Sequence, residues 1–250
     1  MERSRYTLRR TRLADGHETT TYVVRHTLAG LRVGVHVFRQ ARRLDRWCSK
    51  RGVQEAVVGG FYLRDPFRPL GEVWCAGEEV AGTAFLSAYY GLRPALHAGD
   101  GRPEIAPRAD LPRRPPGDLL QAGPLLVADG EIAFDDSDRE GFRAGAAQFD
   151  SDITDGRHPR AAVGIAEKHL VVLACDGRRS RMDAGLSMLE LAGMMRDLGC
   201  REAMNLDGGG STTLVHRGHL LNRPYSEQDQ AAPASRPIVS ALLFGSATGS

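Results

Sequence analysis

The chain has 250 residues, of which 42% are hydrophobic, so it is long enough and apolar enough to form a sizeable core. This composition excludes wholesale disorder. Its 33 basic residues nearly balance its 31 acidic ones, and the net charge of +2 does not indicate a nucleic-acid partner.

Other global features argue against a membrane, a secretion signal or a metal. No apolar stretch reaches the length of a membrane span, and residues 1–18 lack the apolar region of a signal peptide. Basic residues are concentrated before position 52, but they alternate with apolar residues, which favours half-buried elements over a nucleic-acid surface. The four cysteines fit no zinc-binding spacing. We therefore predict a cytoplasmic protein without a cofactor, a metal, or a nucleic-acid or membrane partner.

The first half of the chain predicts strands, one short helix and a long irregular segment. Residues 19–38 predict a hairpin of two strands that turns near residues 29–30. Residues 41–52 predict a short helix, and a strand over 55–58 follows it. Residues 91–117 contain six prolines and predict an irregular surface segment with few core residues. We expect that segment to form a lid or wall over a cleft.

The second half predicts a tight hairpin, a well-capped helix and further strands. Asp129-Gly130 lies between apolar strands, as in a type I′ turn. Ser187 and Glu190 form a capping box before an apolar face of helical spacing, and Gly199 is a typical stop. The predicted strands here cover 161–166, 170–175, 202–206, 212–215 and 237–245. We predict an α+β fold, with residues 1–250 forming a single domain of mixed, largely antiparallel sheets and few flanking helices.

Three consecutive glycines separate two of these strands in the stretch NLDGGGSTTL, residues 205–214. Glycine loses more backbone entropy on folding than any other residue, so this run indicates a need for bare backbone. Consecutive N–H groups can form an anion-binding nest, to which Ser211 adds a hydroxyl and Asp207 a carboxylate. The pattern matches neither a P-loop nor a dinucleotide-binding fingerprint. The alternative is a tight bulge without chemistry.

Residues 159–244 resemble the phosphodiester glycosidase family. The similarity lies in HPRAAVGIAEKHLVVLACDGRRSRMDAGLSMLELAGMMRDLGCREAMNLDGGGSTTLVHRGHLLNRP and in SRPIVSALLF. More loosely, VVGGFYLRDPFRPLG resembles the family's Asn-Gly-Gly-Phe-Phe stretch, and QAGPLLVADGEI resembles its Gly-Gly-Pro-x-Leu stretch. Val58 stands where the family usually has asparagine, and Ala122 where it often has glycine.

The resemblance implies a hydrolase that removes a sugar, N-acetylglucosamine or a similar hexose, from a sugar-1-phosphodiester. Such hydrolysis passes through an oxocarbenium-like state that is normally flanked by carboxylates. Asp176 and Asp207 both lie at predicted strand ends followed by glycine, so we expect them to converge on one cleft. One would act as general base or nucleophile and the other as acid or ring-orienting group, and the assignment between them is open.

The matched stretches also supply candidates for binding the substrate. Arg160 and Arg236 are expected to hold the phosphate, because a planar guanidinium can grip two phosphate oxygens at once. The other predicted substrate-binding residues are Asn205, Gly208, Gly209, Gly210, Ser211, Gly59 and Gly60.

Two alternatives to this function remain open at this point. One is a hydrolase of the same fold that acts on an exopolysaccharide or cell-wall glycan. The other is a catalytically inactive domain that binds a sugar or phosphate. In each case the expected partner is a small-molecule or glycan substrate with a sugar–phosphate linkage, and a homo-oligomer is compatible with the sequence.

Overall fold

The computed structural model describes residues 4–80, 87–135, 137–142, 154–179, 182–224 and 235–246. The strands are β1 (Ser4–Arg12), β2 (Glu18–Thr27), β3 (Leu31–Arg42), β4 (Ala56–Val58), β5 (Tyr62–Arg64), β6 (Phe67–Pro69), β7 (Val73–Cys75), β8 (Glu78–Glu79), β9 (Pro94–Ala98), β10 (Glu104–Pro107), β11 (Asp118–Gln121), β12 (Leu125–Ala128), β13 (Glu131–Ile132), β14 (Arg160–Ala166), β15 (His169–Cys175), β16 (Cys200–Asn205), β17 (Leu214–His216), β18 (His219–Leu220) and β19 (Ile238–Ser246). The helices are α1 (Leu44–Arg51), α2 (Ser87–Tyr90) and α3 (Met188–Asp197), and 3-10 turns cover Arg108–Asp110 and Gly209–Ser211. None of the helices in these ranges has the length and apolar character needed to cross a membrane.

The strands form three sheets and one isolated hairpin. Sheet I has the order β1-β2-β15-β14-β16-β12-β13, sheet II the order β18-β17-β4-β19-β3, and sheet III the order β10-β9-β11-β7-β8. Strands β5 and β6 pair with each other. Every strand pair within the described ranges is antiparallel. The predicted α+β class with largely antiparallel sheets and few helices is confirmed.

Sheet I lies between two apolar layers. On one face, side chains such as Val172 pack against sheet II, including Leu242. On the other face, side chains such as Leu173 pack against Leu191 of α3. Because both faces are covered, β14 and β15 are almost continuously apolar rather than alternating.

Local signals in the sequence predicted several elements correctly. The Ser187 hydroxyl accepts from the Glu190 N–H at 3.2 Å and the Glu190 carboxylate accepts from the Ser187 N–H, so the capping box is confirmed. The turn between β12 and β13 has positive φ at both Asp129 (52°) and Gly130 (84°), as a type I′ hairpin requires. The short helix α1 ends at Gly52 in the left-handed conformation.

The predicted hairpin over residues 19–38 is wrong, although both of its strands exist. β2 pairs with β1 and β15 in sheet I, whereas β3 pairs with β19 in sheet II. The turn between them carries the chain from one layer to the other. Val24 and Val35 therefore meet the same core from opposite sides. Alternation in the sequence reports a buried face, but it does not report which strand pairs with which.

The predicted irregular segment over residues 91–117 is also wrong. It contains β9 and β10, which pair with each other in sheet III, and it buries Leu96 and Ile105 in the main core. Pro94 and Pro107 stand at the strand termini, where a missing N–H is tolerated. The segment is part of the folded core, so the hypothesis of a lid loses its structural basis, whereas a wall of the cleft stays a prediction.

Candidate active site

Two aspartates and an arginine lie together at one end of the central strands of sheet I. Strands β15 and β16 both run antiparallel to β14, so their C-terminal ends emerge together beside the start of β14. Asp176 directly follows β15, Asp207 lies two residues beyond the end of β16, and Arg160 begins β14. The backbone therefore brings these three positions to the same end of the strands, but their side chains differ in exposure.

The glycine turn, residues Asp207 to Ser211, does not form the predicted anion nest. The N–H of Gly208 donates to the Asp207 carboxylate at 2.9 Å, and the N–H of Gly209 donates to the Pro159 carbonyl at 2.8 Å. The N–H of Ser211 donates to the Gly208 carbonyl at 3.1 Å. These groups are already bonded within the protein, so an anion at this turn must be held mainly by side chains.

The bare backbone of the glycine turn makes room for two guanidinium groups. A Cβ on Gly209 would stand 3.4 Å from Nη2 of Arg178, and a Cβ on Gly210 would stand 3.1 Å from Nη2 of Arg236. Gly208 instead packs against backbone, since its Cβ would lie 2.9 Å from the Pro159 carbonyl oxygen. Two cations are thus placed over consecutive glycines.

One of these two arginines was not predicted as a site residue. Arg236 was predicted to bind the substrate, whereas Arg178 was not. Arg178 is partly buried, adopts a left-handed backbone (φ 61°) and donates from Nε to Nδ1 of His158 at 3.3 Å. Its position two residues after Asp176, in the matched stretch CDGRR, is the signal that could have identified it.

Asp207 is held in place by the end of β4. Its N–H donates to the Gly59 carbonyl at 3.0 Å. A Cβ on Gly59 would lie 2.5 Å from the Ser240 hydroxyl, and one on Gly60 would lie 2.9 Å from the Gln121 carbonyl oxygen. The two glycines are therefore required by close packing, which brings the carbonyl of Gly59 against Asp207.

A tyrosine that was not predicted as a site residue also lies here. The Tyr62 hydroxyl donates to the Pro237 carbonyl at 2.9 Å. Burial, followed by the negative charge of Asp207, raises the pKa of Tyr62, while the hydroxyl of Ser211 and the charge of Arg236 oppose that rise. The phenol is thus close to three predicted site residues. Tyr62 ends the stretch VVGGFY, and a hydroxyl in place of the family's second phenylalanine is the signal that could have identified it.

Asp176 does not face an open cleft as expected. The residue is 1% exposed, and its two carboxylate oxygens accept from the Tyr22 hydroxyl at 2.8 Å and from the Arg223 N–H at 2.7 Å. Burial raises the pKa of Asp176, and these two hydrogen bonds oppose the rise. A substrate cannot reach this carboxylate in the observed arrangement, so the two aspartates do not form the expected open pair.

Arg160 and Asn205 are buried as well. Arg160 is 2% exposed, and its guanidinium donates to the carbonyls of Leu186 and Gly156. The side-chain amide of Asn205 donates to the Gly123 carbonyl at 2.9 Å. Both were predicted to contact the substrate, but in the structure their side chains donate hydrogen bonds to backbone carbonyls instead.

The remaining predicted positions gather around Asp207. Gly208, Gly209 and Arg236 are half-buried there, together with Arg178 and Tyr62, which were not predicted. The other predicted positions are buried rather than exposed to a substrate: Gly210, Ser211 (1% exposed), Gly59 and Gly60. Across the described ranges, no three His, Cys, Asp or Glu side chains are grouped as ligands for a metal ion. The arrangement offers one half-buried carboxylate, Asp207, next to two guanidinium groups, which suits an anionic substrate with a reactive carbon beside its charge.

Comparison with known proteins identifies sequence relatives for most of the chain. A model of the phosphodiester glycosidase family matches residues 51–245. The N-acetylglucosamine-1-phosphodiester alpha-N-acetylglucosaminidase of Mus musculus is 30% identical over 176 residues, covering 69% of this chain and 34% of the mouse protein. The Bos taurus enzyme of the same name is 28% identical over 179 residues. The chain therefore spans about a third of the length of these curated relatives.

Solved structures show the same fold. The zebrafish N-acetylglucosamine-1-phosphodiester alpha-N-acetylglucosaminidase catalytic domain, auto-inhibited by its pro-peptide, superposes with a TM-score of 0.73 at 19% identity. That match covers 96% of this chain and 82% of the zebrafish chain. A hypothetical protein from Synechocystis gives a TM-score of 0.67 at 17% identity, covering 97% of this chain and 62% of that one. At these identities the structural likeness concerns the fold.

Proposed function

The chain belongs to the phosphodiester glycosidase family, and on that premise we propose that it hydrolyses the bond between the anomeric carbon of a sugar and a phosphodiester oxygen. The sugar is N-acetylglucosamine or a similar hexose. The observation that carries this proposal is the placement of one half-buried carboxylate, Asp207, beside two guanidinium groups on consecutive glycines.

In this proposal Arg178 and Arg236 hold the phosphate. Each guanidinium is planar, permanently charged and able to donate two parallel hydrogen bonds to phosphate oxygens. The N–H groups of Asp207, Gly208, Gly209 and Ser211 are engaged elsewhere, so the phosphate depends mainly on these side chains. The absence of a Cβ at Gly209 and Gly210 lets both cations approach the turn closely.

Asp207 acts at the anomeric carbon, as the general base for water or as the nucleophile. The bond between C1 and the phosphate oxygen breaks with its electrons going to the oxygen, and positive charge develops on the sugar ring next to the carboxylate. The leaving group is a phosphomonoester with a second pKa of about 6, so it departs without strong acid assistance. A second catalytic carboxylate is therefore not essential to this reaction.

Asp176 then serves as a positioning residue. Its carboxylate holds the N–H of Arg223, and the neighbouring Asn222 holds the carbonyl of Thr212 at 2.9 Å, directly after Ser211. These hydrogen bonds connect Asp176 to the residue that directly follows the glycine turn. Asp176 thus acts on the site through the backbone, without touching the substrate.

One observation favours the inactive binding domain as a second candidate. Asp176 is buried, so Asp207 is the one predicted catalytic carboxylate that is partly exposed, whereas glycosidases normally use two. In that case the two arginines hold a sugar phosphate that is not cleaved.

Sugar release from a panel of sugar-1-phosphodiesters, including UDP-N-acetylglucosamine, together with a phosphate-free glycan, tests the proposal. We expect Asp207→Asn to lower kcat about 10²- to 10⁴-fold, the contribution typical of a general base. Asp176→Asn should lower the melting temperature along with activity. Asp197→Asn, an exposed carboxylate at the end of α3, is the matched control and should change neither.

Three outcomes would count against the proposal. Wild-type turnover by Asp207→Asn removes the carboxylate from the chemistry. Release of sugar only from the phosphate-free glycan favours a glycan hydrolase of the same fold. Phosphate binding without turnover of any substrate favours the inactive binding domain.

A further inference from the structure

The hairpin of β5 and β6 places a phenol against the segment that carries Arg236. Tyr62 begins β5, pairs with Pro69 across the hairpin, and its ring lies 5.9 Å from that of Phe67. The Leu70 N–H bonds to the Phe61 carbonyl at 2.8 Å, which fixes the backbone just before Tyr62. The phenol ring therefore projects from an ordered support toward the start of β19.

Arg236 is tethered on both sides of its own backbone. Its N–H donates to the Gly210 carbonyl at 3.0 Å, and the carbonyl of the next residue, Pro237, accepts from the Tyr62 hydroxyl at 2.9 Å. Its guanidinium lies against Gly210, since three of its atoms would stand 3.1–3.2 Å from a Cβ there. The segment is thus held between the glycine turn and the hairpin.

We propose that Tyr62 is a positioning residue for the phosphate site, whose hydroxyl sets the placement of the Arg236 guanidinium through the Pro237 carbonyl. Proline has no N–H, so the Pro237 carbonyl is the group of that residue that can be tethered by a hydrogen bond. This inference rests on the proposed function for its biological meaning, but it concerns phosphate binding and can be tested without turnover.

The surroundings of Tyr62 favour a protonated hydroxyl, which can donate a hydrogen bond. The charges of Asp207, Arg236 and Arg64 all act on Tyr62, and burial together with Asp207 raises the pKa of Tyr62. The hydroxyl consequently keeps its proton throughout the neutral range. Its hydrogen bond to Pro237 is present under the conditions in which the site would bind a phosphate.

Hydrogen exchange at the Arg236 amide tests the tether without any ligand. In Tyr62→Phe the ring contacts remain and only the hydroxyl is lost, so we expect exchange at this amide about five- to tenfold faster than in the wild type. Tyr90→Phe is the matched control, because the Tyr90 hydroxyl bonds to the buried Glu72 and lies on a separate element. Unchanged exchange in Tyr62→Phe would overturn the proposal.

Binding of inorganic phosphate, measured by calorimetry, tests whether Tyr62 acts through Arg236. We expect Tyr62→Phe to raise the dissociation constant about fivefold, the effect of one neutral hydrogen bond. In the Arg236→Ala background the same substitution should have no further effect, since the tethered guanidinium is gone. Equal effects in both backgrounds, or no phosphate binding by the wild type, would overturn the proposal.

The two proposals fail in different ways. If Tyr62→Phe weakens phosphate binding but the wild type releases no sugar from any donor, the positioning role stands and the hydrolase does not. If sugar is released at the same kcat and KM by the wild type and by Tyr62→Phe, the hydrolase stands and the positioning role does not.

Discussion

Replacing Gly210 with alanine would place a methyl group against the guanidinium of Arg236. The added Cβ would lie 3.1 Å from Nη2 and 3.2 Å from both Cζ and Nε. Carbon contacts are most favourable at about 3.5–4.0 Å, so the guanidinium must retreat by roughly 0.4 Å or more. Displacement of a positioning group by about 1 Å can cost a factor of about 10². We therefore expect KM for a sugar-1-phosphodiester to rise roughly tenfold.

The same substitution should leave the free energy of unfolding almost unchanged. Gly210 is not among the residues with positive φ, so alanine can adopt its backbone conformation. Restricting the unfolded chain then stabilises the protein by about 0.4–1 kcal/mol, which offsets the cost of moving one partly exposed side chain. The predicted signature is a loss of substrate affinity without a loss of stability.

Gly209→Ala is the comparison for the urea-unfolding measurement, and Gly193→Ala is the matched control for both the unfolding and the kinetic measurements. Gly209→Ala forces a left-handed conformation (φ 58°) on alanine, which costs about 1–2 kcal/mol of stability. Gly193→Ala in α3 has nothing within 4 Å of its added Cβ, so it should stabilise the helix by up to about 1 kcal/mol and leave KM unchanged. An unchanged KM for Gly210→Ala would refute the assignment of Arg236 to the substrate.

Three further predictions concern stability. Burial raises the pKa of Glu140 from 4.5 to about 7. The contribution of the protonated side chain to the stability of the fold is therefore fully present below pH 4.5 and is lost as the pH rises through 7. In urea unfolding, the free energy of unfolding of Glu140→Gln should therefore rise relative to that of the wild type by up to about 3 kcal/mol between pH 5 and pH 8. If the free energies of the two proteins change in parallel with pH, the prediction is contradicted. Ser187→Ala removes the cap of α3 and should cost about 1 kcal/mol at unchanged activity, measured by the same unfolding assay. Arg108→Ala leaves the buried Glu72 without its 2.6 Å ion pair and should cost about 3–5 kcal/mol, whereas a loss below 1 kcal/mol would mean that residues 91–117 contribute little to the core.

Elements governed by neighbouring residues were predictable from the sequence. The capping box of Ser187 and Glu190 and the Asp129-Gly130 turn depend on interactions within a few positions, and both occur as expected. Strand pairing is different, because it depends on residues far apart in the chain. The partners of β2 and β3 belong to separate sheets, and nothing in residues 19–38 distinguishes that arrangement from a hairpin.

The site was predictable in position but less so in the exposure of each side chain. Strand ends followed by glycine led to Asp207, and the close packing of Gly59 and Gly210 follows the glycine signal. The burial of Asp176 and Arg160 depends on Tyr22 and Leu186, which come from other parts of the chain. Polar residues in a matched motif can serve the backbone as well as a ligand, and sequence alone does not separate the two roles.

The crossing from sheet I to sheet II between β2 and β3 also has a consequence for how the chain acquires its fold. Val33 of β3 pairs with Phe244 of β19, more than 200 residues later in the chain. During synthesis on the ribosome, β3 has no pairing partner in sheet II until β19 has been made. Contacts of such long range slow folding and leave strand edges open to wrong partners. We expect the completion of sheet II, rather than of sheet I, to be the step most dependent on chaperones.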